Sequence, residues 1–150
     1  MTTPRSPQRQ TAEALLAAFN SMDIPAILAT RTPTSTRHIL PASLALAPQS
    51  NDQYRTHLTQ LKPLFTNFTL TCHDLLEDRD ASKICMRLTA RADTLVGEYV
   101  NEYMWVLEFE GEKVARSTEF VDVGVNRDFW PKLREGMRAL RERQSTETQQ

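Results

Sequence analysis

Glycine is scarce in this 150-residue chain, with four in all at positions 97, 111, 124 and 136. They are too scattered to build a phosphate-cradling loop, which excludes the nucleotide-binding classes that depend on one. Cysteine is scarcer still: Cys72 and Cys85 have neither Cys-x-x-Cys nor zinc-finger spacing and read as reduced, buried thiols. The three histidines, His38, His57 and His73, show no metal-ligand spacing, and neither His-Glu-x-x-His nor Gly-x-Ser-x-Gly occurs. An excess of one charge is also lacking. Lys and Arg total 18 against 19 Asp and Glu, a net charge of −1, which leaves no footprint for nucleic acid or an anionic membrane. Apolar runs are a few residues long, against the roughly 20 a membrane helix needs. The first ten residues hold no apolar stretch of a secretory signal, so a cytoplasmic setting is expected.

What is present is ordinary for a soluble globular domain: 40% hydrophobic and 25% charged residues. The expected organisation is a flexible arm over 1–8, one domain over 9–142 and a flexible tail over 143–150. Ala12, Leu15, Leu16 and Phe19 predict a helix from about 9 to 20. Asp23 caps a short second helix with Pro25 in its first turn. The stretch 32–36 reads as a turn and Arg37–Leu40 as a short strand. Ser50 and Gln53 form a capping box that opens a helix through Tyr54, His57, Leu58, Leu61 and Phe65.

From Asn67 the period becomes two. Phe68, Leu70 and Cys72 alternate with polar residues, as do Ile84, Met86, Leu88, Ala90 and Ala92. Strands over 99–109 and 113–123 follow, joined at Glu110-Gly111-Glu112, and a last helix runs from about 126 to 142 with Asn126 as its cap and Pro131 in its first turns. Helices followed by a meander predict an α+β fold, a cone-like curved antiparallel sheet with a pocket at its mouth.

Tyr99, Asn101, Tyr103 and Trp105 share one face of their strand, with the two tyrosines roughly 13 Å apart along it. Glu119 and Asp122 interrupt an apolar strand on opposite faces, so at most one enters a pocket. Arg37 and His38 also face opposite ways, His38 being read as a satisfied inward histidine, and His57 and His73 read as core or rim residues. Glu102 faces away from the tyrosines. A three-residue loop at 110–112 pairs Phe109 with Lys113 and sets Tyr103 opposite Glu119; a two-residue loop would turn Glu119 outward.

Leu40-Pro-Ala-Ser-Leu44, Asn51-Asp-Gln-Tyr-Arg55, Lys62-Pro-Leu-Phe65, His73-Asp74, Asn101-Glu-Tyr103, Glu119-Phe-Val-Asp122 and Phe129-Trp-Pro-Lys-Leu133 occur in this fixed order. Together they resemble the fungal SnoaL-like proteins of the nuclear-transport-factor-two-like superfamily, over residues 11 to 140. The resemblance implies a homodimer and a cofactor-free, metal-free isomerase. Its acid–base rearrangement, semipinacol-type, would act on an apolar polycyclic intermediate of meroterpenoid or indole alkaloid biosynthesis. A cyclase, lyase or hydrolase, or a noncatalytic binding module, stays open beside it. The catalytic set implied is Arg37, Tyr99, Tyr103 and Glu119, with Glu119 as proton acceptor. The expected substrate-binding set is His38, Phe65, His73, Asn101, Trp105, Asp122 and Trp130, with Phe109, Phe129 and Leu133 completing an apolar wall.

Overall fold

The computed structural model describes residues 4–149. Helix α1 (Pro7–Asn20) opens two residues before its expected start, because Ser6 accepts a hydrogen bond from the Arg9 amide and Pro7 suits the first turn. Helix α2 (Ile24–Ala29) is capped by Asp23. Strand β1 (Arg31–Leu40) takes in the stretch expected as a turn. Pro33 is tolerated because β1 is the sheet's edge, and because the register slips between Arg31 and Thr36, where no ladder bond is asked of it. Helix α3 (Asn51–Leu61) carries the Ser50–Gln53 capping box.

Strands β2 (Thr66–Asp78), β3 (Lys83–Thr94), β4 (Gly97–Glu110) and β5 (Lys113–Val121) form the antiparallel meander. The full order is β1-β5-β4-β3-β2, with β1 parallel to β5. Ile84, Met86 and Leu88 of β3 are wholly buried, in one core with Ala12, Leu15 and Phe19 of α1. The opposite face of the sheet leaves Met104 and Phe120 exposed, side by side across β4 and β5.

Two of the sheet's register shifts decide how His73 and Glu119 face. In β2, Cys72 pairs with Leu88 and Asp74 with Arg87, so His73 has no partner and Leu75 resumes the inward face. The β4–β5 hairpin departs from expectation twice. Its loop has two residues, Gly111 and Glu112, with Glu110 opposite Lys113 and Gly111 at φ 61, where glycine is favoured. Alone, this loop would turn Glu119 outward. Ala115, however, is bulged between the Phe109–Val114 and Glu108–Arg116 pairs, and this second single-residue change restores the parity. Glu119 therefore faces inward, opposite Trp105; Tyr103 pairs with Val121 instead.

Helix α4 (Val123–Thr148) begins at Asp122, whose Oδ1 accepts from the Gly124 amide at 2.8 Å, and not at Asn126. The earlier start puts Pro131 inside the helix, beyond the first turns where it was expected. The helix also runs past 142, since no glycine or proline follows Gly136 and Arg138 bridges to Glu142 one turn on. No helix among the described residues is long and apolar enough to cross a membrane.

Candidate active site

Alternation along β4 sends Tyr99, Asn101, Tyr103 and Trp105 to the same inner face. The sheet's curvature draws the first and third together at their tips: the two phenol oxygens lie 2.7 Å apart. Asn101 Nδ2 donates to the Tyr99 oxygen at 2.8 Å, and its own Oδ1 accepts from the Glu102 amide, which fixes the amide's orientation. Burial pushes the Tyr103 phenol well above its usual pKa, with Tyr99 adding to the shift. Burial raises Tyr99 too, against the opposing effect of its hydrogen bonds. Both phenols are protonated donors at neutral pH.

Beside them, Arg37 of β1 meets Glu119 of β5. Arg37 Nε and Nη2 donate to the two Glu119 carboxylate oxygens, the latter at 3.1 Å. Arg37 Nη1 donates to Gln49 Oε1 at 2.8 Å, and the two residues also exchange backbone hydrogen bonds at 2.9 Å. The Tyr54 ring of α3 lies 4.6 Å from the guanidinium carbon, within cation–π range. Burial alone would lower the Arg37 pKa; Glu119 and Tyr54 outweigh it, and the net shift is upward. On Tyr54 also lies a second buried guanidinium, Arg31, 5.1 Å from the ring centre. Arg31 donates to Ser117 Oγ and Asn51 Oδ1, each at 3.0 Å, and has no carboxylate partner among the described residues. Of the two buried guanidiniums, Arg37 is paired with a carboxylate and Arg31 is not.

These groups open onto a cavity of about 840 Å³. Its walls are apolar: Phe65 stacks on Tyr99 at 5.1 Å, and Trp130 of α4 lies 5.4 Å from the same ring. Trp105 Nε1 and Asn126 Oδ1 are buried without a hydrogen-bond partner.

Of the residues singled out in the sequence, Arg37, Phe65, Tyr99, Asn101, Tyr103, Trp105, Glu119 and Trp130 line this cavity. His38, His73 and Asp122 do not. His38 points outward because its neighbour Arg37 points in, and it bonds Thr36 Oγ1 at 3.0 Å. His73 is the exposed bulge residue and bonds Thr89 Oγ1 at 2.8 Å. Asp122 is occupied as the α4 cap. Phe109 is a core residue, and Phe129 packs behind Tyr99 at 5.3 Å. Tyr54 and His57 both line the cavity from α3. Their spacing of three residues was visible in the sequence; that this face of α3 meets a cavity was not. Among the described residues, no three His, Cys, Asp or Glu side chains gather as a metal site.

A curved sheet closed by helices is the architecture of the SnoaL-like proteins, and comparison with known proteins narrows the class. No family model matches the chain. It is 33% identical over 141 residues to austinoid biosynthesis cluster protein J of Aspergillus calidoustus, covering 91% of this chain and 86% of that protein. It is 31% identical over 128 residues to austinoid biosynthesis clusters protein H of Penicillium brasilianum, covering 81% of this chain and 86% of the relative. Among solved structures, BvnE pinacolase from Penicillium brevicompactum superposes with a TM-score of 0.77 at 29% identity, over 89% of this chain and 96% of that one. The chain belongs to the fungal SnoaL-like proteins of the nuclear-transport-factor-two-like superfamily, the family of these cluster proteins.

Proposed function

We propose that the chain is an isomerase carrying out an acid–base skeletal rearrangement, of the semipinacol type, on an apolar polycyclic intermediate of fungal meroterpenoid biosynthesis. One observation carries the reading: in a cavity with apolar walls, two protonated phenols joined at 2.7 Å stand beside a buried Arg37–Glu119 pair. Likeness to a pinacolase and to austinoid cluster proteins supports it.

In such a rearrangement a substrate hydroxyl loses its proton and its oxygen becomes a carbonyl. A neighbouring carbon–carbon bond migrates with its electron pair to the adjacent carbon of a C=O or strained C–O bond. The pair of that bond withdraws onto its oxygen, and this oxygen takes up the proton. Atoms and electrons balance within the substrate, so no redox cofactor is called for. Of the two joined phenols, the one whose proton is not spent in their mutual hydrogen bond donates to the oxygen as its charge develops, with the other supporting it. Arg37, held in place by Glu119 and Gln49, stabilises that charge. Arg37, Tyr99, Tyr103 and Glu119 are the catalytic group in this scheme. Phe65, Trp105, Trp130 and Asn101 shape and orient. An apolar ligand gains roughly 25 cal/mol per Å² buried, so few polar contacts suffice to orient it.

Incubating the purified protein with candidate polycyclic intermediates and following products by mass spectrometry tests the reading. A product of unchanged mass and altered retention is expected, and Tyr103→Phe should slow its formation. Gain of one water would identify a hydrolase, and loss of a fragment a lyase; either result overturns the isomerase. The same assay separates a meroterpenoid from an indole alkaloid substrate.

A homodimer through the outer sheet face fits the half-exposed Met104 and Phe120, which are paired across strands with Arg87 opposite Met104 on β3. Sedimentation of a dimer that Phe120→Glu dissociates is the expected result; a monomeric wild type counts against it. Two free, half-buried cysteines fit a reducing, cytoplasmic setting.

A further inference from the structure

Both oxygens of Glu119 are held by Arg37, and the pair is almost entirely withdrawn from solvent. A proton arriving on Glu119 would dissolve that pair and strand a buried guanidinium, a costly step in each turnover. The cavity holds another group without this encumbrance. His57 lies three residues after Tyr54 on α3, beside Leu58 and Leu61, which line the same cavity. Its ring is half-buried, and among the described residues neither ring nitrogen has a hydrogen-bond partner.

We propose that His57 is a catalytic base of this site: its imidazole takes the substrate's proton and the imidazolium gives it back to the rearranged product. The proposal rests on the acid–base reading above and names the group that moves the proton. The two transfers cancel, as an isomerisation requires. Burial, with Arg37 adding to it, holds the His57 pKa below the ordinary histidine value, so the ring is neutral with a free lone pair at neutral pH. Glu119, from β5, acts in the opposite sense and steadies the imidazolium once formed. Tyr99 and Tyr103 from β4 and Arg134 and Arg141 from α4 border the same cavity, and Tyr54 precedes His57 on its own helix. Of these groups, His57 is the one whose ordinary pKa lies near neutrality.

Base-promoted opening of nitrobenzisoxazole tests this directly, because that small apolar probe reports any competent base in an apolar cavity. The base removes the ring C–H proton, the C–H electron pair becomes part of a nitrile, and the N–O bond breaks with its pair going to oxygen, which gives one coloured cyanonitrophenolate. The expected rate exceeds that of free imidazole at equal concentration, rises through one ionisation below the usual histidine range and is flat at neutral pH. His57→Gln should lower it about a hundredfold and abolish the ionisation, the scale of general-base assistance. His38→Gln and His73→Gln, outside the cavity, should leave it unchanged. The wild-type profile needs no variant, so it decides the matter even if His57→Gln does not fold. A profile without a histidine ionisation, or a folded His57→Gln protein with the wild-type rate, overturns the proposal. If isomer formation persists in that case, the isomerase reading stands and the base returns to Glu119.

Discussion

The hydroxyls of Tyr99 and Tyr103 are in hydrogen-bond contact although four residues separate them on one strand. Only a strongly curved strand brings such positions together, so this contact also measures how tightly the sheet is wound around the cavity. Tyr54, Tyr99 and Tyr103 are the chain's three tyrosines, and burial raises the pKa of each. The folded protein should therefore show less tyrosinate absorbance at pH 10 than the unfolded chain, in which a free phenol is half ionised. Above about pH 10 the unfolded chain releases protons that the folded one keeps, so stability should fall as pH rises through that point. Ultraviolet titration of native and denatured protein checks both statements; a tyrosine titrating near 10 in the folded state contradicts them.

Arg37 and Glu119 should depend on each other for stability. Removing one partner of a buried pair costs about 3–5 kcal/mol, because the other charge is left uncompensated. Arg37→Met and Glu119→Gln should each destabilise on that scale, and the double variant should lose clearly less than their sum. Denaturant unfolding of the four proteins measures the coupling. Strict additivity would show that the pair is not energetically linked.

Trp130 touches Phe65 and Tyr99 on the cavity wall but makes none of the polar contacts around Arg37 or the phenols. Trp130→Ala should raise KM about tenfold, roughly 1.4 kcal/mol of binding, while kcat changes much less. An unchanged KM would remove Trp130 from the binding wall.

Ala115 sets which way Glu119 points. Deleting it should carry Ser117, Glu119 and Val121 to the outer face and bring Thr118 and Phe120 inward. That places apolar Val121 in solvent and leaves Arg37 unpaired, so cooperative unfolding should be lost or its midpoint sharply lowered. A deletion variant that melts like the wild type would show that the strand can slip back into register.

Much of this architecture is legible in the residues. The Ser50–Gln53 box, the Asp23 cap and the alternation of Ile84, Met86 and Leu88 each express a local rule, and each element forms where that rule puts it. The first half of β1 was concealed by Pro33 and its threonines, because edge position, a tertiary property, is what makes proline acceptable there. The bulges at His73 and Ala115 have no local signature; they reconcile ladder register with core packing, which involves strands far apart in sequence. The shared inner face of Tyr99 and Tyr103 follows from alternation. Arg37 is implied by the resemblance alone, its neighbour His38 reading as the inward one. Glu119 faces inward through the Ala115 bulge and not through the expected three-residue loop, opposite Trp105. His38, His73 and Asp122 were drawn away by outward alternation, a bulge and a helix cap respectively.

Arg31 is buried beside Tyr54 with no anion of its own among the described residues, which leaves an unanswered positive charge behind the Arg37–Glu119 pair. A neutral substrate arriving in the cavity does nothing for that imbalance, whereas an oxyanion appearing midway through the reaction does. In the proposed reaction that electrical vacancy is met only by a species that exists during turnover. On the proposed rearrangement the transient anion is the substrate alkoxide, and stable anionic mimics of it should outcompete neutral alcohols of identical shape.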